Sequence, residues 1–301
     1  MNRDVFVNEL MKILKKWQIE LNLEYSNPKK NVRVSFGDIG SFGELSAINF
    51  NEDFIGSGSG GMGFDLLNTK TKKTIEVKTC CTIQNSKCSN ESCGIKFNHL
   101  FNDTCPNCGS KEYKLINDSR FGINSKELIK QYKLGIFEKL VLCHISLVNQ
   151  NKKFNELNIK IEFFEVDFMK KDEYLNIRLE YFNNQATKGR NTTANLLPYS
   201  YDFYKLTPLK IYEVDAAINY SDLNKEPTYC INDKKTPLRI SEKEVRLYKS
   251  EKEKFMRLST YDKKTKSACA KEFARLMPYR KKSLGKERGD TRESVYGILL
   301  D

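Results

Sequence analysis

The chain has 301 residues and a formal net charge of +12, with hydrophobic residues at 39% and charged residues at 30%. That length holds one large domain or two smaller ones with an ample core, and the mixture suits a soluble globular protein. No apolar run approaches the roughly 20 residues of a membrane span and the N-terminus lacks a signal peptide's apolar core, so a cytoplasmic protein is expected. The basic excess favours a polyanionic partner, with nucleic acid the commonest candidate.

Phe6, Leu10, Ile13, Trp17 and Leu21 recur at helical spacing, which predicts an amphipathic helix over residues 4–24 whose stripe is core. Val32-Arg33-Val34 and a glycine-punctuated segment, Gly37 to Gly43, come next; Glu44-Leu45-Ser46-Ala47-Ile48 then reads as a short helix. Residues 56–63 are too rich in glycine for a regular element. They are either a backbone cradle for a phosphate or a plain linker, and no Gly-Lys-Ser/Thr follows to make a nucleotide-binding loop.

Gly63-Phe64-Asp65-Leu66-Leu67 and Ile75-Glu76-Val77-Lys78 read as adjacent strands joined by a polar turn over 68–73. Alternation puts Ile75 and Val77 on one face and Glu76 and Lys78 on the other. If the strands pair, Asp65 lies within a few ångströms of both. Two carboxylates and an ammonium together suit a divalent cation, with the lysine beside the metal-bound water.

Cys88-x4-Cys93, eleven residues, then Cys105-Pro106-Asn107-Cys108-Gly109 has the layout of two cysteine knuckles. Four thiolates at this spacing match closed, structural Zn2+. Disulfides are the alternative, which a cytosolic setting disfavours. Cys80, Cys81 or His99 could replace a ligand or bind nothing.

Beyond the knuckles, a helical pattern runs through Leu128, Tyr132 and Leu134, followed by strands over 141–148 and 159–166. His144, inside an apolar strand, reads as a core histidine. Arg120 either reaches a phosphate or forms a surface ion pair. Residues 183–202 read as a polar, aromatic-bearing loop in which Lys188, Arg190, Asn191 and Asn195 are candidate base readers, or simply exposed loop residues. After Thr236-Pro237 a basic helical module is expected, opened by a capping box at Ser241–Glu244. Between residues 239 and 290, Lys and Arg number 17 against 8 acids, nine units of the net +12. Its densest part holds Arg280, Lys281 and Lys282, a pattern that suits phosphate contacts.

Asp65, ten intervening residues and Glu76-x-Lys78 resemble the active site of the PD-(D/E)xK nuclease superfamily, best known from restriction endonucleases. Phe64 stands where the family's name has proline. The resemblance covers about residues 40–165. It implies an α/β (mixed α+β) restriction-endonuclease-like core, with a mixed central sheet flanked by helices and a helix then a strand after the hairpin. A nuclease domain at 1–235 would carry a zinc-ribbon insertion at about 80–115, with a basic helical DNA-binding region at 236–301. Asp65 and Glu76 would hold Mg2+, Lys78 would orient or deprotonate the attacking water, and Glu44 would complete the metal site, unless it is a solvated acid early in its helix. The implied protein is a type II restriction enzyme, a homodimer acting on double-stranded DNA. A structure-specific repair or recombination nuclease and a non-catalytic zinc-ribbon DNA-binding regulator are the other readings.

Overall fold

A computed structural model of the chain describes residues 3–26, 38–57, 64–82, 85–98, 102, 104–116, 120–151, 154–172, 174–187, 192–199 and 201–238. The expectations placed on residues 32–34, 58–63, 99, 188–191 and 239–301 lie outside the described residues. The protein is mixed α+β, and it divides into two compact units. Unit 1 comprises Met1–Ser119, Leu140–Phe164 and Ile211–Lys235; unit 2 comprises Arg120–Lys139, Glu165–Lys210 and the segment from Thr236.

In chain order the elements are α1 (Arg3–Ser26), α2 (Ile39–Phe50), β1 (Phe54–Gly56), β2 (Leu66–Asn68), β3 (Thr74–Thr82), β4 (Asn85–Cys88), β5 (Lys96–Asn98) and β6 (Tyr113–Ile116). There follow β7 (Phe121–Asn124), α3 (Ser125–Lys133), β8 (Phe137–Asn151), β9 (Glu156–Asp167), α4 (Leu175–Thr187) and β10 (Thr193–Leu196). The described chain closes with α5 (Tyr201–Lys205), β11 (Leu209–Asn219), β12 (Thr228–Asn232) and β13 (Thr236–Pro237).

Unit 1 is built on a central mixed sheet in the order β1-β2-β3-β8-β9-β11-β12. Its middle strands are apolar because both faces are covered, and Leu140, Leu142, Cys143, Ile145, Ile161 and Phe163 are fully buried. The stripe of α1 is core as its spacing predicts: Phe6, Leu10, Leu14 and Trp17 are all inaccessible. The Phe6 ring lies 5.3 Å from Phe50 and 5.2 Å from Tyr212. Buried Gln18 donates from Nε2 to the carbonyls of Asn219, Asp222 and Lys225 at 2.9, 3.1 and 2.8 Å, fastening α1 to the turn after β11.

α2 departs from the expectation. It starts at Ile39, so the helix expected over 44–48 already includes Gly40 and Gly43 of the glycine-punctuated segment. The reason is proximity. A Cβ on Gly43 would sit 2.0 Å from Thr79 Oγ1, so only glycine lets the helix lie this close to β3.

In unit 2, β7 and β10 pair antiparallel, and Phe121, Ile123, Ala194 and Leu196 are all fully buried. This corrects the reading of 183–202 as one loop: α4 runs to Thr187, β10 follows, and α5 begins at Tyr201. Alternation of exposed Thr193 and Asn195 with buried Ala194 and Leu196 makes the strand, although polar neighbours disguise it. Arg178 of α4 is buried and satisfied. It donates to the Leu206 and Asp167 carbonyls at 2.8 and 3.0 Å, and pairs with Asp172 at 2.9 Å.

Candidate active site and cysteine centre

The turn between β2 and β3 is set by Asn68, whose side-chain oxygen accepts from the Lys70 and Thr71 N–H groups, and by Lys72 at φ 57. Register places Leu66 opposite Ile75. Ile75 and Val77 are buried at 0% and 4%, which leaves Glu76 and Lys78 on the other face of the strand. Asp65 immediately precedes β2. Its Oδ2 accepts from the Val77 N–H at 2.7 Å and lies 3.1 Å from Lys78 Nζ, which in turn lies 2.5 Å from Glu76 Oε1. The backbone bond from Val77 was not legible in the spacing; it depends on where the two strands stop pairing.

Glu44 sits half-buried on α2, one residue after Gly43. Burial pushes its carboxyl above the usual range and the Asp65 charge adds to this, while Lys78 offsets part. Burial alone would lower the Lys78 ammonium, but Glu76 and then Asp65 outweigh it and hold the lysine more firmly charged than usual. Glu44, Asp65 and Glu76 thus converge on one ammonium, leaving the cluster short of positive charge. Hard oxygen donors in that state suit a divalent cation such as Mg2+. The Ser57 N–H donates to the Asp65 carbonyl at 3.1 Å, which fixes the backbone at Asp65.

A separate three-stranded sheet, ordered β5-β4-β6, carries the cysteines. The Sγ atoms of Cys88, Cys93, Cys105 and Cys108 all lie within 4.8 Å of one another. The Cys88–Cys108 and Cys93–Cys105 separations are each 3.6 Å. A tetrahedron of thiolates about 2.3 Å from zinc has edges of about 3.8 Å, so the spacing fits Zn2+. Each knuckle closes on a glycine at positive φ, Gly94 at 55° and Gly109 at 73°. Burial pushes the Cys88 thiol up to about 12, whereas the Asn107 amide and then the Ile95 N–H draw Cys93 down to about 6. Cys80 is buried in β3 and, like Cys81, is not part of the cluster.

Arg120 is exposed just before β7, and exposed Asn195 of β10 pairs with Gly122 of β7. Lys188, Arg190, Asn191, Arg280, Lys281 and Lys282 lie outside the described residues. His144 is 2% exposed, with Nδ1 3.6 Å from Glu162 Oε2, a core position as expected.

A carboxylate–lysine cluster at the β2–β3 hairpin and, on a separate sheet, four cysteines spaced to hold a metal ion are the two candidate centres of this basic chain. The family described as MamI restriction endonuclease matches residues 51–268, and the chain belongs to that family. It is therefore a restriction endonuclease, a nuclease whose substrate is DNA. No curated protein and no solved structure matches it. The matched span includes Asp65, Glu76, Lys78 and all four clustered cysteines, and Glu44 lies just before it. Among the described residues no helix is long and apolar enough to cross a membrane.

Proposed function

We propose that the protein is a type II restriction endonuclease of the PD-(D/E)xK kind, cutting both strands of duplex DNA at a defined sequence with Mg2+. One observation carries the reading: Lys78 Nζ lies between Asp65 and Glu76, at 3.1 and 2.5 Å, with Glu44 electrostatically coupled to the same group. The element order supports it too, because α2, the β1–β2–β3 meander, α3 and then β8 follow one another in the superfamily's sense.

Asp65 and Glu76 would hold the magnesium ion, with Glu44 as a further ligand. When bound, the metal supplies charge stabilisation at the phosphate and a more acidic water. With the Asp65 and Glu76 oxygens on a cation, Lys78 would lose the two anionic partners that hold it charged and would release a proton to solvent more readily. Its neutral Nζ would then orient the attacking water and take that water's proton. Val77's N–H keeps Asp65 aimed at the site throughout. Zn2+ on Cys88, Cys93, Cys105 and Cys108 would be structural, because four thiolates leave no open position. Arg120, Asn195, Lys188, Arg190 and Asn191 would contact DNA from unit 2, with Arg280, Lys281 and Lys282 holding phosphates.

The test is digestion of an unmethylated plasmid and a long phage-type DNA, with magnesium and with EDTA. Discrete magnesium-dependent fragments are expected, and their ends give the site. A smear would instead support a nuclease that does not read sequence. Tight binding without cutting under any divalent metal would overturn the catalytic assignment.

A further inference from the structure

The strands of the cysteine-bearing sheet are registered so that one residue of each falls in a single row. Lys87 of β4 pairs with Lys96 of β5 on one side and with Lys114 of β6 on the other. The rows beside it differ: Ser86 pairs with Phe97 and Leu115, and Cys88 with Tyr113. Ser86, Cys88 and Phe97 are buried, and the Phe97 and Tyr113 rings lie 5.5 Å apart, so those rows face the small interior around the cysteines. Lys87 and Lys96 are exposed on the outer side, and neither has an ion-pair partner among the described residues.

Like charges directly opposite one another in an antiparallel sheet are destabilising. Three lysines in one register row therefore work against a sheet already too small to have much core. Nothing in the fold needs them, since any polar residue would serve on a solvated face. A polyanion laid across the row converts the repulsion into attraction.

We propose that the Lys96–Lys87–Lys114 row is a phosphate-contacting surface, through which the cysteine-centred ribbon grips the backbone of the duplex DNA substrate. This rests on the endonuclease reading. At about 4.8 Å between strands the row spans roughly 10 Å, comparable with about three successive nucleotides of one strand at 3.4 Å rise. β3, which carries Glu76 and Lys78, ends at Thr82 and β4 begins at Asn85, so the catalytic strand leads directly into the ribbon. The contacts would position DNA without reading it, because phosphates carry no sequence information.

The experiment compares the wild type with Lys87→Ser/Lys96→Ser/Lys114→Ser by fluorescence anisotropy on a random-sequence 30-base-pair duplex, without added magnesium or chelator, across a salt series. Each lysine that contacts a phosphate lowers the slope of log K against log salt by about 0.9, so a loss of roughly two to three is expected for the triple variant. Bound zinc should stay at the wild-type stoichiometry. A Lys→Arg triple should keep the slope, because it keeps the charges. If the serine triple loses zinc, Lys96→Ser alone on the edge strand reads the same quantity at about one unit. A zinc-loaded variant with wild-type slope and affinity overturns the proposal. If the wild type cuts plasmid meanwhile, the nuclease reading stands without it; a wild type that neither binds nor cuts DNA sinks both.

Discussion

In the proposed mechanism Lys78 would serve two states. Without a cation it is the counter-charge for Glu76 and Asp65 and is held protonated. On the proposed mechanism a proton acceptor would be needed only once those carboxylates held a cation, so the same contacts that stabilise the resting site would keep the lysine from acting prematurely. Lys78→Ala should lower plasmid cleavage by at least about 10²-fold, the usual scale of a lost acid–base group, while duplex affinity stays near that of the wild type. A variant that still cuts at the wild-type rate would remove Lys78 from the mechanism. Glu44 shows the complementary strain. Its folded pKa is raised, so the folded protein holds that proton more tightly than the unfolded chain. The stability it contributes is greatest where Glu44 is protonated, and is lost as pH rises from the ordinary glutamate range through its raised value. In metal-free melts, Glu44→Gln should match the wild type below that window and melt higher above it. Adding Mg2+ should then stabilise the wild type more than the variant. Parallel Tm–pH curves for the two proteins would show that Glu44 is not strained.

At the scale of elements, the placement of Glu44 depends on how closely α2 approaches β3. Alanine at position 43 would gain up to about 1 kcal/mol of helix propensity over glycine. Its Cβ, however, would meet Thr79 Oγ1 at 2.0 Å while Thr79 Cβ stays at a tolerable 3.4 Å. Overpacking typically costs about 1–3 kcal/mol, so Gly43→Ala should destabilise the protein and reduce cleavage. Gly43→Ala/Thr79→Ala should recover stability, because the clash is with the hydroxyl alone; thermal melts of the double-mutant cycle would show additivity instead if the two residues do not touch. This close approach explains why α2 was half legible. Gly40 and Gly43 look like loop residues in the sequence, and their use appears only when the partner strand is known. The hairpin was legible because Ile75, Glu76, Val77 and Lys78 alternate strictly in a strand with one buried face. The cysteine spacing was legible because a four-thiolate site leaves few solutions. β10 was hidden, since its alternation spans four residues inside a polar stretch, and the lysine row was hidden because register across three strands is not a property of any one of them. Cys108→Ser should abolish bound zinc, measured by elemental analysis, since its Sγ is 3.6 Å from Cys88 and completes the tetrahedron. Full retention of zinc would show that the ion sits elsewhere.

For the whole molecule the question is how a protein with one such cluster per chain would cut both strands, as proposed. The two strands of DNA run antiparallel, so the target phosphates in a palindromic site are related by a two-fold axis, and a C2 dimer presents one cluster to each. The DNA complex should therefore contain two 35.0 kDa chains per duplex, a mass of twice the chain plus the DNA by sedimentation equilibrium. A sharper consequence concerns mixtures. Co-expressed wild-type and Lys78→Ala chains would form mixed dimers carrying one working cluster and two intact binding surfaces. On supercoiled plasmid these should accumulate open-circular product, one strand cut and the other whole, while wild-type dimers give linear DNA. The yield of nicked circles should follow the fraction of mixed dimers, greatest when the two chains are equal. A single chain that cuts both strands in turn behaves differently. Its inactive copies only dilute the active ones, so linear product falls in proportion and no additional nicked circles build up. The ratio of nicked to linear DNA therefore reports how many clusters engage one site, independently of how tightly the protein binds.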